Sequence, residues 1–329
     1  MKAIIALLVS VLMPSGAIAA YLSGATYSTA AVAQYPALLS GYSYRPAWSV
    51  AGVDFYVGAP ASKATKDPAT IVVSGVTINT TARSVLITGD NVTLDGYDYT
   101  LSGGWYVETH AANTTLSNSK FLAQWTGGSS LIYGTTAASN LVVTNCTIDG
   151  NGYDIGGSGA MIAWAGNNIT IQYSWMRNAG GDTIQLITGA AVGGSYTLYE
   201  NLFENGGLVS GAHGDLTQIQ GGPSYAHVTY NTTMAIPASS TQGLMTENVY
   251  SGEVSHNTFT GSISSFTSAD PAHLTGTMSI DNNYFDLTNA TSFVYPTTGP
   301  NDGYVLTVFT NNINMVTGAT VQDTPPGTP

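Results

Sequence analysis

Asn168-Ile169-Thr170-Ile171 is one copy of a short phrase that decides the fold. It reads polar, apolar, Thr or Ser, apolar. Earlier copies are Asn91-Val92-Thr93-Leu94, Asn113-Thr114-Thr115-Leu116 and Leu141-Val142-Val143-Thr144. Later ones are Ser195-Tyr196-Thr197-Leu198, Ala226-His227-Val228-Thr229, Gly252-Glu253-Val254-Ser255, Thr277-Met278-Ser279-Ile280 and Tyr304-Val305-Leu306-Thr307. With residues 92, 114, 141, 169, 197, 228, 253, 278 and 306 taken as equivalent, the phrase returns every roughly 22 to 31 residues, the range of solenoid repeats. The copies alternate like strands and lack the period of a helix.

A second column follows the first. Asn118 stands three residues before Phe121, Asn145 before Ile148, Asn231 before Met234 and Asn282 before Phe285. Tyr173, Glu200, His256 and Thr310 fill the same slot on other copies. An apolar residue on every repeat predicts an inner stack. A recurring Asn predicts an internal ladder at a corner, where its amide pairs with backbone on neighbouring turns. One repeat cannot bury a core alone, but a stack of them can. The expected fold is all-β, a right-handed parallel β-helix over residues 71–318. A β-sandwich is the alternative for strands of this spacing, but sandwiches carry no ladders in fixed register.

Working outward, residues 20–70 lack the repeat and are expected to cap the N-terminal end, with Val72-Val73-Ser74 and Val76-Thr77-Ile78 as the first turns. Residues 319–329 are Pro-rich and read as a flexible tail. Residues 1–19 read as a signal peptide: Lys2, then the apolar run Ala3–Leu12, a break at Pro14 and a small-residue cleavage pattern at Ala17-Ile18-Ala19. A secreted or periplasmic protein is therefore expected, with no membrane span, since no later apolar run is long enough. Cys146 is the single cysteine, so no internal disulfide is expected, and its place in a strand-like run makes it a packed residue.

Composition excludes several functions. The 329 residues carry 7 Lys and Arg against 19 Asp and Glu, a net charge of −12, and only 8% are charged. A nucleic-acid partner requires clustered cations, which are missing. No phosphate-binding loop, dinucleotide fingerprint or zinc spacing is present.

Chemistry is expected where two neighbouring repeats share a phrase the others lack: Gly181-Asp182-Thr183-Ile184-Gln185-Leu186 and Gly214-Asp215-Leu216-Thr217-Gln218-Ile219. In register, Asp182 and Asp215 stack about 5 Å apart. Such carboxylates are coupled, one favouring the protonated form, the pairing that glycoside hydrolysis uses. His213 lies two residues before Asp215 and suits an orienting or proton-transfer role. Gln185 and Gln218 would grip sugar hydroxyls. Glu247, one turn further on, is a possible addition to the site. Trp164 and Tyr153 are candidate sugar-stacking platforms, as are Trp125, Trp175 and Tyr133. His227 and His256 sit in repeat slots and read as surface or ladder residues. Two other readings of the Asp pair stand beside catalysis. In one, the carboxylates cap turns while the Gln side chains form an amide ladder. In the other, they help to hold a hard cation such as calcium; no other cofactor is expected.

The chain resembles the parallel β-helix proteins grouped with pectate lyases, polygalacturonases and phage tailspikes. The resemblance rests on the repeat phrase and implies the fold. By analogy with polygalacturonases it also implies acidic residues on neighbouring turns with a nearby histidine, which here match Asp182, Asp215 and His213. The chain departs from that pattern in having no Asn-Thr-Asp, Asp-Asp, Gly-His-Gly or Arg-x-Lys. The expected function is hydrolysis of an extracellular polysaccharide. The alternatives are a non-catalytic carbohydrate-binding, adhesin or matrix protein, and a calcium-assisted polysaccharide lyase.

Overall fold

The computed structural model describes residues 32–155, 159–186, 194–212, 214–219, 225–235, 243–247, 251–261, 266–269, 277–288, 294–296 and 305–321. The expected signal peptide, the start of the N-terminal segment and most of the tail lie outside them.

Every turn of the chain gives one short strand to each of three sheets. The first turn shows the pattern: β1 (Val76–Asn79), β2 (Ser84–Ile87), β3 (Thr93–Asp95), β4 (Asp98–Tyr99) and then β5 (Tyr106–Thr109), which returns to lie beside β2. Among the described residues the first sheet has ten strands and the others nine each. All pairings in them are parallel except β1 with β2. The molecule is a parallel β-helix with almost no helical structure. Residues 80–83 are too short for the crossover that a parallel pair requires, so β1 turns back antiparallel. Val76-Thr77-Ile78 is thus the outer strand of a hairpin, and Val72-Val73-Ser74 joins no strand. Both differ from the expected first turns.

The core is built from columns. In the second sheet Leu94, Leu116, Val143, Ile171, Leu198, Val228, Val254 and Ile280 stack in register, all buried. In the third, Tyr99, Phe121, Ile148, Met176, Phe203, Thr233, Phe259 and Phe285 do the same. Tyr99 stacks on Phe121 with ring centroids 4.4 Å apart, and Phe259 on Phe285 at 4.8 Å, close to the rung spacing of a sheet. The first sheet holds one large exception to uniform filling. Trp164 enters the column Ile87, Thr109, Gly134, Trp164 and Leu186, and a Cβ on Gly134 would lie 2.0 Å from its ring. Glycine one rung below makes room for the indole.

The corner after the second sheet is where polar residues enter the core. Asn118, Asn145, Tyr173, Glu200, Tyr230, His256, Asn282 and Asn311 all adopt left-handed backbone, with φ from 49 to 59°. Of residues with a side chain, Asn tolerates that region best. The residue just after each one points inward. From Asn201 on it is asparagine: Asn201, Asn231, Asn257, Asn283 and Asn312, all buried. Each of the first four donates from Nδ2 to Oδ1 of the next, at 2.9 to 3.1 Å. Each of the five also donates to a strand carbonyl one rung back: those of Ile171, Leu198, Val228, Val254 and Ile280. Each Oδ1 from Asn231 on receives the backbone N–H of the Asn before it. On earlier rungs Ser119, Cys146 and Ser174 occupy the slot, and burial pushes the Cys146 thiol up to about 12.

The predicted Asn ladder therefore exists, with a correction of phase. Asn231 belongs to the inner ladder and Asn282 to the left-handed corner, so Thr233 fills the core slot assigned to Met234. The first repeat column slips likewise: Ile169 aligns with Tyr196, Ala226, Gly252 and Met278, not with residues 197, 228 and 253.

From Val32 on, the segment expected as a cap forms a strap along the flank of the coil. It runs along the outside of the third sheet, against the direction in which the coil grows. The backbone N–H of Tyr44 donates to Met315, and the Tyr42 hydroxyl to Asp286 at 2.7 Å, on the last rungs. Trp48 packs edge-on against Tyr230, His256 and Tyr284. Ala51 and Val57 bury Leu202, beside Trp175 and Met234. Gly58 donates to the Tyr173 carbonyl, and Lys66 reaches the Asp95 carbonyl on the first rungs. The physical reason lies in Trp175, Leu202 and Met234. They are apolar on an outward face, and the strap removes that face from water.

Truncating Asn257 to Ala strands partners above and below it in a dry interior. The expected loss is about 3 kcal/mol. Asn113→Ala, in an exposed Asn column but in left-handed backbone, should cost about 1 kcal/mol. Calorimetric unfolding of the two variants checks the contrast.

The strap latch sets a pH window. Burial alone would raise the Asp286 carboxyl, but hydrogen bonds from Thr288 and Tyr42 outweigh it and hold the group below its ordinary value. Its stabilisation is complete above about pH 4 and is lost as pH falls through the lowered folded value. Burial, then the bond and charge of Asp286, raise the Tyr42 phenol. That contribution is complete below about pH 10 and is lost as pH rises through the raised value. In Tyr42→Phe the melting temperature should be lower across this window, and the acid transition should move to higher pH.

Candidate functional site

The first-sheet strands Ile184–Leu186 and Gln218–Ile219 pair in parallel, with Gln185 opposite Gln218 and Leu186 opposite Ile219. The expected registration across 33 residues is what the structure shows, and it brings the two Gly-Asp phrases onto consecutive rungs. The Asp215 backbone N–H donates to Asp182 Oδ1 at 2.9 Å, and the Thr183 N–H donates to the Asp215 carbonyl at 2.9 Å. The Asp182 carbonyl in turn accepts from Met161 on the preceding rung at 3.1 Å.

The approach is close because the chain is bare here. A Cβ on Gly214 would stand 2.2 Å from the Gly207 Cα, so only glycine lets these segments pass. Asp182 is 4% exposed and Asp215 0%. One Asp182 oxygen is committed to backbone. The arrangement is that of a side chain stitching two rungs together at a corner, with carboxylates held inside the surface.

Gln185 and Gln218 follow on the outward face. Gln185 Nε2 reaches Gln218 Oε1 at 3.5 Å, a long bond that continues the stitching as an amide pair. Gln185 Oε1 is buried and has no hydrogen-bond partner among the described residues. Tyr153 lies in the turn on the rung before Gly180, which packs against its carbonyl; the residue is 37% exposed.

The remaining candidates fall elsewhere. Trp164 is 0% exposed inside the coil and offers no surface for a sugar. Its alternation in the strand Ile162–Trp164 points it inward, a parity that the bare sequence left open. Glu247 ends the strand Leu244–Glu247, on the rung after Gln218, and its backbone pairs with Ala269. His213 lies outside the described residues. Of the other aromatic candidates, Trp175 is covered by the strap and stacks on Arg177, while the Trp125 indole donates to the Ser129 carbonyl. Among the described residues no three His, Cys, Asp or Glu side chains gather as a metal-holding group. None of the described helices is long and apolar enough to cross a membrane. A group the sequence reading passed over is Glu253 with His227; the signal was Tyr225-x-His227 and Glu253-x-Ser255 on consecutive repeats.

Comparison with protein-family models, with curated proteins and with solved structures gave no match. The geometry defines an architecture, the parallel β-helix, bearing a buried carboxylate pair and an amide pair on two adjacent rungs.

Asp182→Asn keeps an oxygen for the Asp215 N–H and should unfold within about 1 kcal/mol of wild type. Asp182→Ala leaves that buried N–H unpaired and should cost about 1 to 3 kcal/mol. Thermal unfolding of both separates a stitching carboxylate from an incidental one.

Proposed function

We propose that the protein is an exported β-helix of the pectate lyase-like kind that engages extracellular polysaccharide, and that its role is to bind the glycan. The observation that carries this is the chemistry of its outer faces. Asn91, Asn113, Asn140 and Asn168 form an exposed ladder, each amide donating to the one before at 2.7 to 2.9 Å. Beside them the outward column of the second sheet reads Thr93, Thr115, Val142, Thr170 and Thr197, hydroxyls on four of five rungs. Such faces present neutral hydroxyls and amides at a fixed repeat, and sugar hydroxyls pair with those groups. The low charge argues in the same direction, and an acidic chain disfavours a polyanionic ligand.

Hydrolysis at Asp182 and Asp215 is the second reading. It is favoured by their place on adjacent rungs, since strands stack about 5 Å apart and paired-carboxylate chemistry needs two acids close together. Their burial weighs against it, because a catalytic acid must reach the leaving oxygen.

Purified protein incubated with a panel of polysaccharides tests both. The expected result is retention on at least one neutral glycan with no new reducing ends. Reducing ends that appear with wild type and vanish in Asp215→Asn would replace binding by hydrolysis. Unsaturated products would replace it by elimination.

A further inference from the structure

From Thr170 on, two rungs of the second sheet's outer face break the run of small polar residues. The outward column reads Thr170, Thr197, His227, Glu253 and Ser279. His227 Nδ1 lies 3.5 Å from Glu253 Oε2, and the Ser255 hydroxyl donates to Glu253 Oε1 at 2.7 Å. The side chains of His227 and Glu253 are 36% and 38% exposed. Tyr225 lies against the His227 ring at 4.1 Å on one side. On the other, at the corner, Tyr230 stacks on His256 at 4.7 Å, with Tyr199 and Trp48 edge-on to Tyr230. From Tyr225 to Tyr230 the strand spans roughly 16 Å, room for a short run of sugar rings.

We propose that Tyr225, His227, Glu253 and Tyr230 form a saccharide-binding subsite for neutral sugar units, separate from the Asp182–Asp215 corner. The inference rests on the polysaccharide reading above and gives it a location. Each part has a chemical reason. Tyr and His rings have flat apolar faces that suit the C–H side of a pyranose, and Tyr225, His227 and Tyr230 are each partly exposed. Glu253 is an acceptor with two oxygens, suited to a pair of sugar hydroxyls. The hydrogen bond from His227 comes first in keeping it ionised, against the opposing effect of burial, and Ser255 and the nearby histidines add to it. Glu200 is buried at the same corner. Two carboxylates in so few rungs repel an acidic sugar, so the ligand is uncharged. A coil needs none of these groups outside: the rungs before and after carry Thr197 and Ser279 in the same column.

The test is binding of the full chain to immobilised dextran, galactomannan and xylan, with polygalacturonate as the anionic counterpart. Tyr225→Ala and Glu253→Gln should each weaken the best neutral interaction about tenfold. Their melting temperatures should stay near that of wild type, as surface changes do; the Gln variant keeps shape and fold if the Ala variant does not. Tighter binding of polygalacturonate than of every neutral glycan overturns the subsite. Unchanged affinity in the folded Gln variant overturns it too, while the polysaccharide reading stands. Capture of none of the four by wild type removes both.

Discussion

The corner after the second sheet is the constraint on which the rest depends. A coil of three short strands must bend without leaving buried backbone groups unpaired. Here the bend is made by one residue in left-handed backbone, and the inward residue after it supplies what the bend takes away. Where that inward residue is Asn, its oxygen receives a backbone N–H from the rung before and, from Asn231 on, an amide N–H as well. Its own amide reaches back to a strand carbonyl and, except at Asn312, forward to the next Asn. The ladder fixes rung spacing and phase together. That is why bulky residues such as Tyr173, Tyr230 and His256 are held in a conformation they ordinarily avoid.

Phase carried along the coil turns distant residues into neighbours. Asp182 and Asp215 meet through a backbone-to-carboxylate bond, and Gln185 meets Gln218, because the Leu186 and Ile219 stack beneath them leaves no other register. His227 meets Glu253 for the same reason. A shift of one residue in either strand would send these groups into the core.

The repeat, the parallel coil and the pairing of the two Gly-Asp phrases were legible in the sequence, because apolar alternation and punctuation survive in single copies. What escaped has physical causes. Asn serves two adjacent slots, the left-handed corner and the inner ladder, so Asn231 and Asn282 looked equivalent while standing one residue apart. Met234 and Trp164 were misplaced by parity alone: the outward slot at Met234 is apolar because the strap covers it, and Trp164 fits inside only because Gly134 is a rung away. Burial of the Asp pair depends on the approach of Gly207 to Gly214, which no local pattern announces. The strap was invisible for a related reason, since its partners are scattered along the coil from Asp95 to Met315.

A stack of like units ordinarily melts from its ends, each unit answering only to its neighbours. The strap changes that arithmetic. Its anchors at Lys66 and Tyr42 join the opening rungs to the closing ones, so fraying at one end loosens grip at the other. The strap also precedes the coil in the chain, yet its seat at Asp286 and Met315 exists only after the final rungs are wound. Docking thus comes late, and a chain cut short of those rungs would be left with its apolar flank at Leu202 incompletely clasped, the mark of an unfinished molecule.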